Sequence, residues 1–121
     1  LQQAGVMALG WSDDYYATLA AHYADRRDHI LSTLETAGLR CFIPSGAYYV
    51  MTDISGLGFA DDVAFVRYLI ETLGVAAVPG SSFYAHSGGG SQQVRFCFCK
   101  KYETLEGARR QLLKLTTANR T

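Results

Sequence analysis

Arg95 lies in the run Val94-Arg95-Phe96-Cys97-Phe98-Cys99, where every neighbour is an apolar side chain or a thiol. In an extended chain, side chains alternate between faces. Val94, Phe96 and Phe98 then point one way, and Arg95, Cys97 and Cys99 the other. A guanidinium among apolar neighbours needs an anion, because an unpaired charge is expensive to bury. Its planar fork matches a carboxylate through two parallel hydrogen bonds. Two readings stay open from pattern alone: an internal ion pair or exposed edge residue, or an anchor for a ligand's carboxylate.

The other residue types able to do chemistry read more plainly. Gly88-Gly89-Gly90-Ser91 lacks the Lys-Ser or Lys-Thr of a phosphate loop and precedes a strand instead of opening a helix, so a flexible surface loop is expected. Pro79-Gly80-Ser81-Ser82-Phe83 lacks the Gly-x-Ser-x-Gly spacing of a nucleophile elbow and reads as a turn. Phe83 and Tyr84 follow it, placed either to cover a ligand or to anchor the loop to the core. His86, among Gly and Ser, is expected to be solvated, and no Ser-His-Asp or Cys-His set assembles. Cys41, Cys97 and Cys99 are odd in number and show no zinc-like spacing to His22, His29 or His86. Three buried thiols acting as small apolar side chains are expected, with no metal, in a reducing cytoplasmic setting. Asp61 and Asp62 read as a helix cap.

The elements that must position Arg95 follow from periodicity. Ser12 or Asp13 opens a long helix to about Ala37, with Tyr15, Leu19, Tyr23, Ile30, Leu31 and Leu34 on one stripe and Gly38 as its stop. The tyrosines Tyr15, Tyr16 and Tyr23 are expected to pack in the core or between domains. Strands are predicted over Leu39–Ile43, Tyr48–Ile54, Val75–Val78 and Gln93–Cys99. A helix capped by Asp61, with Phe65, Leu69 and Leu73 on its apolar stripe, separates the strand pairs and ends at Gly74. A last helix runs from about Thr104 to Thr116. The order α-β-β-α-β-β-α predicts an α+β domain: a small, mostly antiparallel sheet with helices packed on one face.

Composition bounds the function. The 121 residues carry eleven Lys and Arg against eleven Asp and Glu, a formal net charge of +0. That balance argues against nucleic-acid or anionic-membrane binding, which run on excess positive charge. Apolar stretches such as Leu73–Pro79 fall far short of the ~20 residues of a membrane span. Eight Tyr, six Phe and one Trp supply the apolar surface a packed core requires. Leu1 is not an initiator Met, and helix-like sequence begins at once, so an excised piece of a longer protein is expected.

Three segments, taken in order, resemble the end of a class I/II pyridoxal-phosphate aminotransferase of fold type I. They are Pro44-Ser45-Gly46-Ala47-Tyr48-Tyr49 leading to Asp53, Gly74-Val75-Ala76-Ala77-Val78-Pro79-Gly80-Ser81-Ser82-Phe83, and Val94-Arg95-Phe96-Cys97-Phe98-Cys99-Lys100 before Glu103-Thr104-Leu105. The wording around Arg95 is most similar to the kynurenine, glutamine and methionine aminotransferase branch. The resemblance implies that residues 12–121 are the small C-terminal domain and 1–11 a remnant of the large cofactor domain. It implies that Arg95 grips the α-carboxylate of the amino-acid or 2-oxo-acid substrate, fixing the Cα–H for proton removal. Pyridoxal 5'-phosphate and a homodimer are implied for the full-length parent. Lys100, Lys101 and Lys114 are the only lysines, and none matches the family's Schiff-base position. The chain alone is therefore expected to bind no cofactor covalently and to be inactive. A β-lyase or synthase of the same fold type, and a stand-alone carboxylate-sensing module, remain alternatives.

Overall fold

The computed structural model describes residues 1–115. Helix α1 (Gln2–Leu9) has no side-chain cap and buries none of its residues. Helix α2 (Asp13–Thr36) spans ~36 Å. Ser12 takes the N-cap position but forms no side-chain cap bond, leaving Asp13 and Asp14 in the first turn to meet the helix dipole. The expected apolar stripe of α2 divides in two. Tyr15, Tyr16 and Leu19 are exposed, whereas Ile30, Leu31 and Leu34 enter the core and Tyr23 packs against Phe98. The first turns of α2 therefore project past the core, and only the second half is packed.

Strands β1 (Arg40–Phe42), β2 (Tyr49–Asp53), β3 (Val78–Pro79) and β4 (Gln93–Cys97) form one sheet in the order β1-β2-β4-β3. Every neighbouring pair is antiparallel. Val50, Thr52, Val94 and Phe96 are buried on one face, while Tyr49, Met51, Arg95 and Cys97 alternate to the other, half-exposed face. The Thr52 hydroxyl would be costly in that core without a partner, and it donates to the Val94 carbonyl at 2.9 Å.

Helix α3 (Asp62–Tyr68) begins where Asp61 accepts from the Ala64 amide at 2.7 Å, continues as a π-helical turn over Leu69–Leu73, and stops at Gly74 with φ +67. Phe65, Leu69 and Leu73 are buried as their spacing predicted. Helix α4 (Tyr102–Leu112) packs on α2 through Leu105 and Leu112. Both join α3 over the buried face of the sheet, so the α+β layer with helices on one face stands.

Several boundaries move. The third strand was expected over Val75–Val78 but is confined to Val78–Pro79. The Val75 amide instead closes the preceding helix by donating to the Leu69 carbonyl at 3.0 Å, and its side chain enters the core. Proline, which has no N–H for a ladder, is tolerated there because β3 is an edge strand. The fourth strand ends at Cys97, so Cys99 lies beyond the ladder instead of sharing a face with Cys97. The last helix starts two residues before Thr104 and ends at Leu112; its expected terminus at Thr116 lies outside the described residues.

Candidate functional site

Register decides what surrounds Arg95. Directly paired residues of an antiparallel ladder share a face, so Phe42, Met51, Arg95 and Val78 form one row across the open side of the sheet. Tyr49, paired with Cys97, stands one diagonal step away. The Arg95 Cζ lies over the Tyr49 ring at 5.0 Å and over the Phe83 ring at 4.4 Å. These two rings arrive from opposite sides of β4, Tyr49 on β2 and Phe83 from a 3-10 turn, Gly80–Phe83, that follows β3.

Among the described residues no carboxylate comes within ion-pair distance of Arg95, and no hydrogen bond reaches its side chain. Its Nε is shut off from solvent without a partner. The internal-salt-bridge reading therefore has no counter-ion here, and the free-edge reading fails because β4 is a central strand. What remains is a half-buried cation lying over two aromatic rings. Ring contacts attract the cation without satisfying its N–H groups, which keep their capacity for an incoming anion.

The turn that carries Phe83 is tied down tightly. Asp62 is 2% exposed and accepts from the Ser81 amide at 2.7 Å, and its own amide donates to the Ser91 carbonyl at 2.8 Å. A Cβ on Gly80 would meet the Gln93 carbonyl oxygen at 2.5 Å and the Gly90 carbonyl oxygen at 2.7 Å, so only glycine fits. The glycine run is spent the same way. Cβ atoms at Gly89 and Gly90 would each come within 2.7 Å of the Tyr84 side chain. Space beside Gly89 and Gly90 is thus filled by Tyr84 and Gly80, whereas Gly88, at φ +83, has nothing within 4 Å and is required by its backbone conformation. The run lies at the surface as expected, but Gly89 and Gly90 are there for close packing.

Phe83 and Tyr84 take different roles: Phe83 lies on Arg95, while the Tyr84 hydroxyl donates to the Gln93 Oε1 at 3.0 Å and anchors the loop. His86 is exposed as expected. None of the three thiols is fully buried; at Cys41, half-buried against the core, burial first and the Glu35 charge second push the thiol up to about 11. Cys97 is likewise half-buried and Cys99 exposed, a correction to the expectation of three buried thiols: Cys97 stands on the half-exposed face of the sheet, and Cys99 lies beyond the end of β4. No group of three or more metal-ligating side chains occurs among the described residues. Lys100, Lys101 and Lys114 are all exposed. Tyr49 and Asp62 were missed from sequence: Tyr49 because its diagonal position depends on register, Asp62 because an Asp-Asp pair at a helix start reads as capping.

An open cleft of about 620 Å³ lies between α4 and the β3–β4 edge, with Arg95 among its bordering residues. Its remaining wall includes Ile30, Phe96, Leu105 and Leu112 from the core side of the sheet. Because Arg95 alternates away from that side, the aromatic-flanked guanidinium and not the cleft is the candidate site.

Arg95, on the open face of this α+β layer and without an acidic partner among the described residues, is the candidate anion-binding group, and comparison with known proteins gives the family. The sequence profile of class I and II aminotransferases matches residues 1–112, and the chain belongs to that family. It is 38% identical over 120 positions to a kynurenine–oxoglutarate transaminase of Dictyostelium discoideum, covering 84% of this chain and 28% of that protein. It is 33% identical to a methionine aminotransferase of Escherichia coli, covering 84% of this chain and 26% of that one. The solved structure of N-succinyldiaminopimelate aminotransferase from Mycobacterium tuberculosis superposes with a TM-score of 0.85 at 35% identity, over 94% of this chain and 30% of the other. The chain thus spans under a third of the length of these relatives. No helix among the described residues is long and apolar enough to cross a membrane.

Proposed function

We propose that residues 12–121 act as the small C-terminal domain of a pyridoxal-phosphate-dependent aminotransferase that moves an amino group from an L-amino acid to a 2-oxo acid. Residues 1–11 then belong to the end of its large domain, and Arg95 holds the α-carboxylate of either substrate. The observation that carries this reading is the Arg95 guanidinium, half-buried with no acidic partner among the described residues. The ring contacts offset part of its desolvation, and an outside anion would satisfy the N–H groups that they leave unpaired. Two charge-assisted bonds to a carboxylate do so and fix the orientation of the substrate's α-carbon.

The described residues do not fit the cofactor itself. Gly89 and Gly90 are packed against Tyr84 and the three lysines lie at the surface, so its binding is assigned to other residues of a longer chain. The exposed Val6, Met7, Leu9, Trp11, Tyr15 and Leu19 supply an apolar face for the large domain and for the homodimer the family reading implies. Free thiols suit a reducing compartment, the cytoplasm.

The test is Arg95→Met in the full-length enzyme that carries this chain, assayed with kynurenine or methionine as amino donor and 2-oxoglutarate as acceptor. Truncating one half of a buried charge pair costs ~2–5 kcal/mol, so kcat/KM should fall by about 30-fold or more for donor and acceptor alike. Unchanged kcat/KM in both half-reactions would remove the reading.

A further inference from the structure

Arg95 poses a problem that the carboxylate reading alone leaves unsolved. A long, flexible side chain loses affinity if it must be ordered at the moment of binding. Most buried arginines are ordered by a carboxylate of their own fold, but such a partner would occupy the N–H fork and compete with substrate. No acidic group among the described residues does this.

Instead the Arg95 Cζ lies over the Phe83 ring at 4.4 Å and over the Tyr49 ring at 5.0 Å. The ring faces attract the cation through their quadrupoles without accepting its in-plane hydrogens. Phe83 is half exposed, so it contributes little to the core and its placement calls for another reason. The placement is also built. Asp62 anchors the Ser81 amide two residues before Phe83, and the Gly80–Gly90 close approach fixes the start of the turn.

We propose that Phe83 and Tyr49 are positioning residues for a carboxylate clamp: they hold the Arg95 guanidinium through cation–π contact, so that its N–H groups stay uncommitted to any partner within the fold. The inference rests on Arg95 binding a carboxylate, and it adds the means by which the arginine is kept both ordered and uncommitted.

Nitrogen-15 spectra of this chain test it, with the Arg95 Nε–H signal assigned through Arg95→Lys and acetate as the probe. Ring currents should displace that signal from those of the exposed arginines, and acetate should move it to saturation. Phe83→Leu should collapse the displacement and weaken acetate binding ~3–10-fold, Tyr49→Leu should act in the same direction, and Phe83→Tyr should restore both readouts. Because Phe83 is half exposed, its variants leave the buried core intact. An acetate response in the native chain that neither Leu substitution alters would overturn the positioning role while sparing the carboxylate reading. No acetate response at all, with the ring displacement present, would overturn the carboxylate reading and this inference with it.

Discussion

If Arg95 is retained for a ligand and not for the fold, replacing it should not cost stability. Its Nε is shut off from solvent with no partner, a loss of ~1–3 kcal/mol relative to a satisfied group. The Phe83 and Tyr49 rings return ~0.5–2 kcal/mol through cation–π attraction. The two terms nearly cancel. Arg95→Met keeps an unbranched side chain and removes every polar atom, so it should fall between neutral and ~1 kcal/mol more stable. With a urea slope of ~1–3 kcal/mol per molar for a domain of this size, the unfolding midpoint should hold or rise by on the order of 0.5 M. Far-UV circular dichroism across a urea series reads this directly. Asp62→Ala is the contrast, since Asp62 is buried with a partner inside the fold, and it should lose ~1–3 kcal/mol. A midpoint for Arg95→Met lowered by the equivalent of more than ~1 kcal/mol would refute the argument, because the arginine would then be holding the domain together.

Gly80→Ala should be strongly destabilising, since its Cβ would strike backbone at 2.5 Å that cannot swing aside; thermal unfolding should show a melting point several degrees lower. Iodoacetamide at pH 8 should label exposed Cys99 first and leave Cys41 unmodified, as peptide mass mapping would record. Cys41 is raised in the fold from 9.0 to about 11, so the folded state favours its protonated form; its contribution is complete below pH 9 and fades as pH climbs toward 11. The urea midpoint of Cys41→Ala should accordingly lose less than that of the native chain over that interval. The apolar surface of α1 and the start of α2 should drive self-association, and light scattering that finds a clean monomer at high concentration would contradict the docking face proposed there.

Helices were the most legible elements, and for a local reason. The buried residues of α3 and of the second half of α2 recur at helical spacing, and Gly38 and Gly74 both adopt the left-handed conformation that ends a helix. Burial was less legible. Tyr15 and Leu19 continue the stripe of α2 but lie beyond the reach of the sheet, so the periodicity holds while the burial stops. Strand limits shifted because pairing is a property of two segments. Val75 has strand composition, yet its amide is taken by the helix before it.

The suspicion about Arg95 came from alternation along one strand, a period of two that any chain displays before it folds. Composition and spacing likewise settled the α+β class, and resemblance supplied the family. Tertiary structure alone decided whether that arginine had an acid beside it, because a counter-ion can come from any element and its approach leaves no local trace. The two rings at Arg95 come from positions 49 and 83, and only antiparallel register and a turn tied by Asp62 bring them to residue 95. Chain order carries the chemical types; distance between them is created by folding.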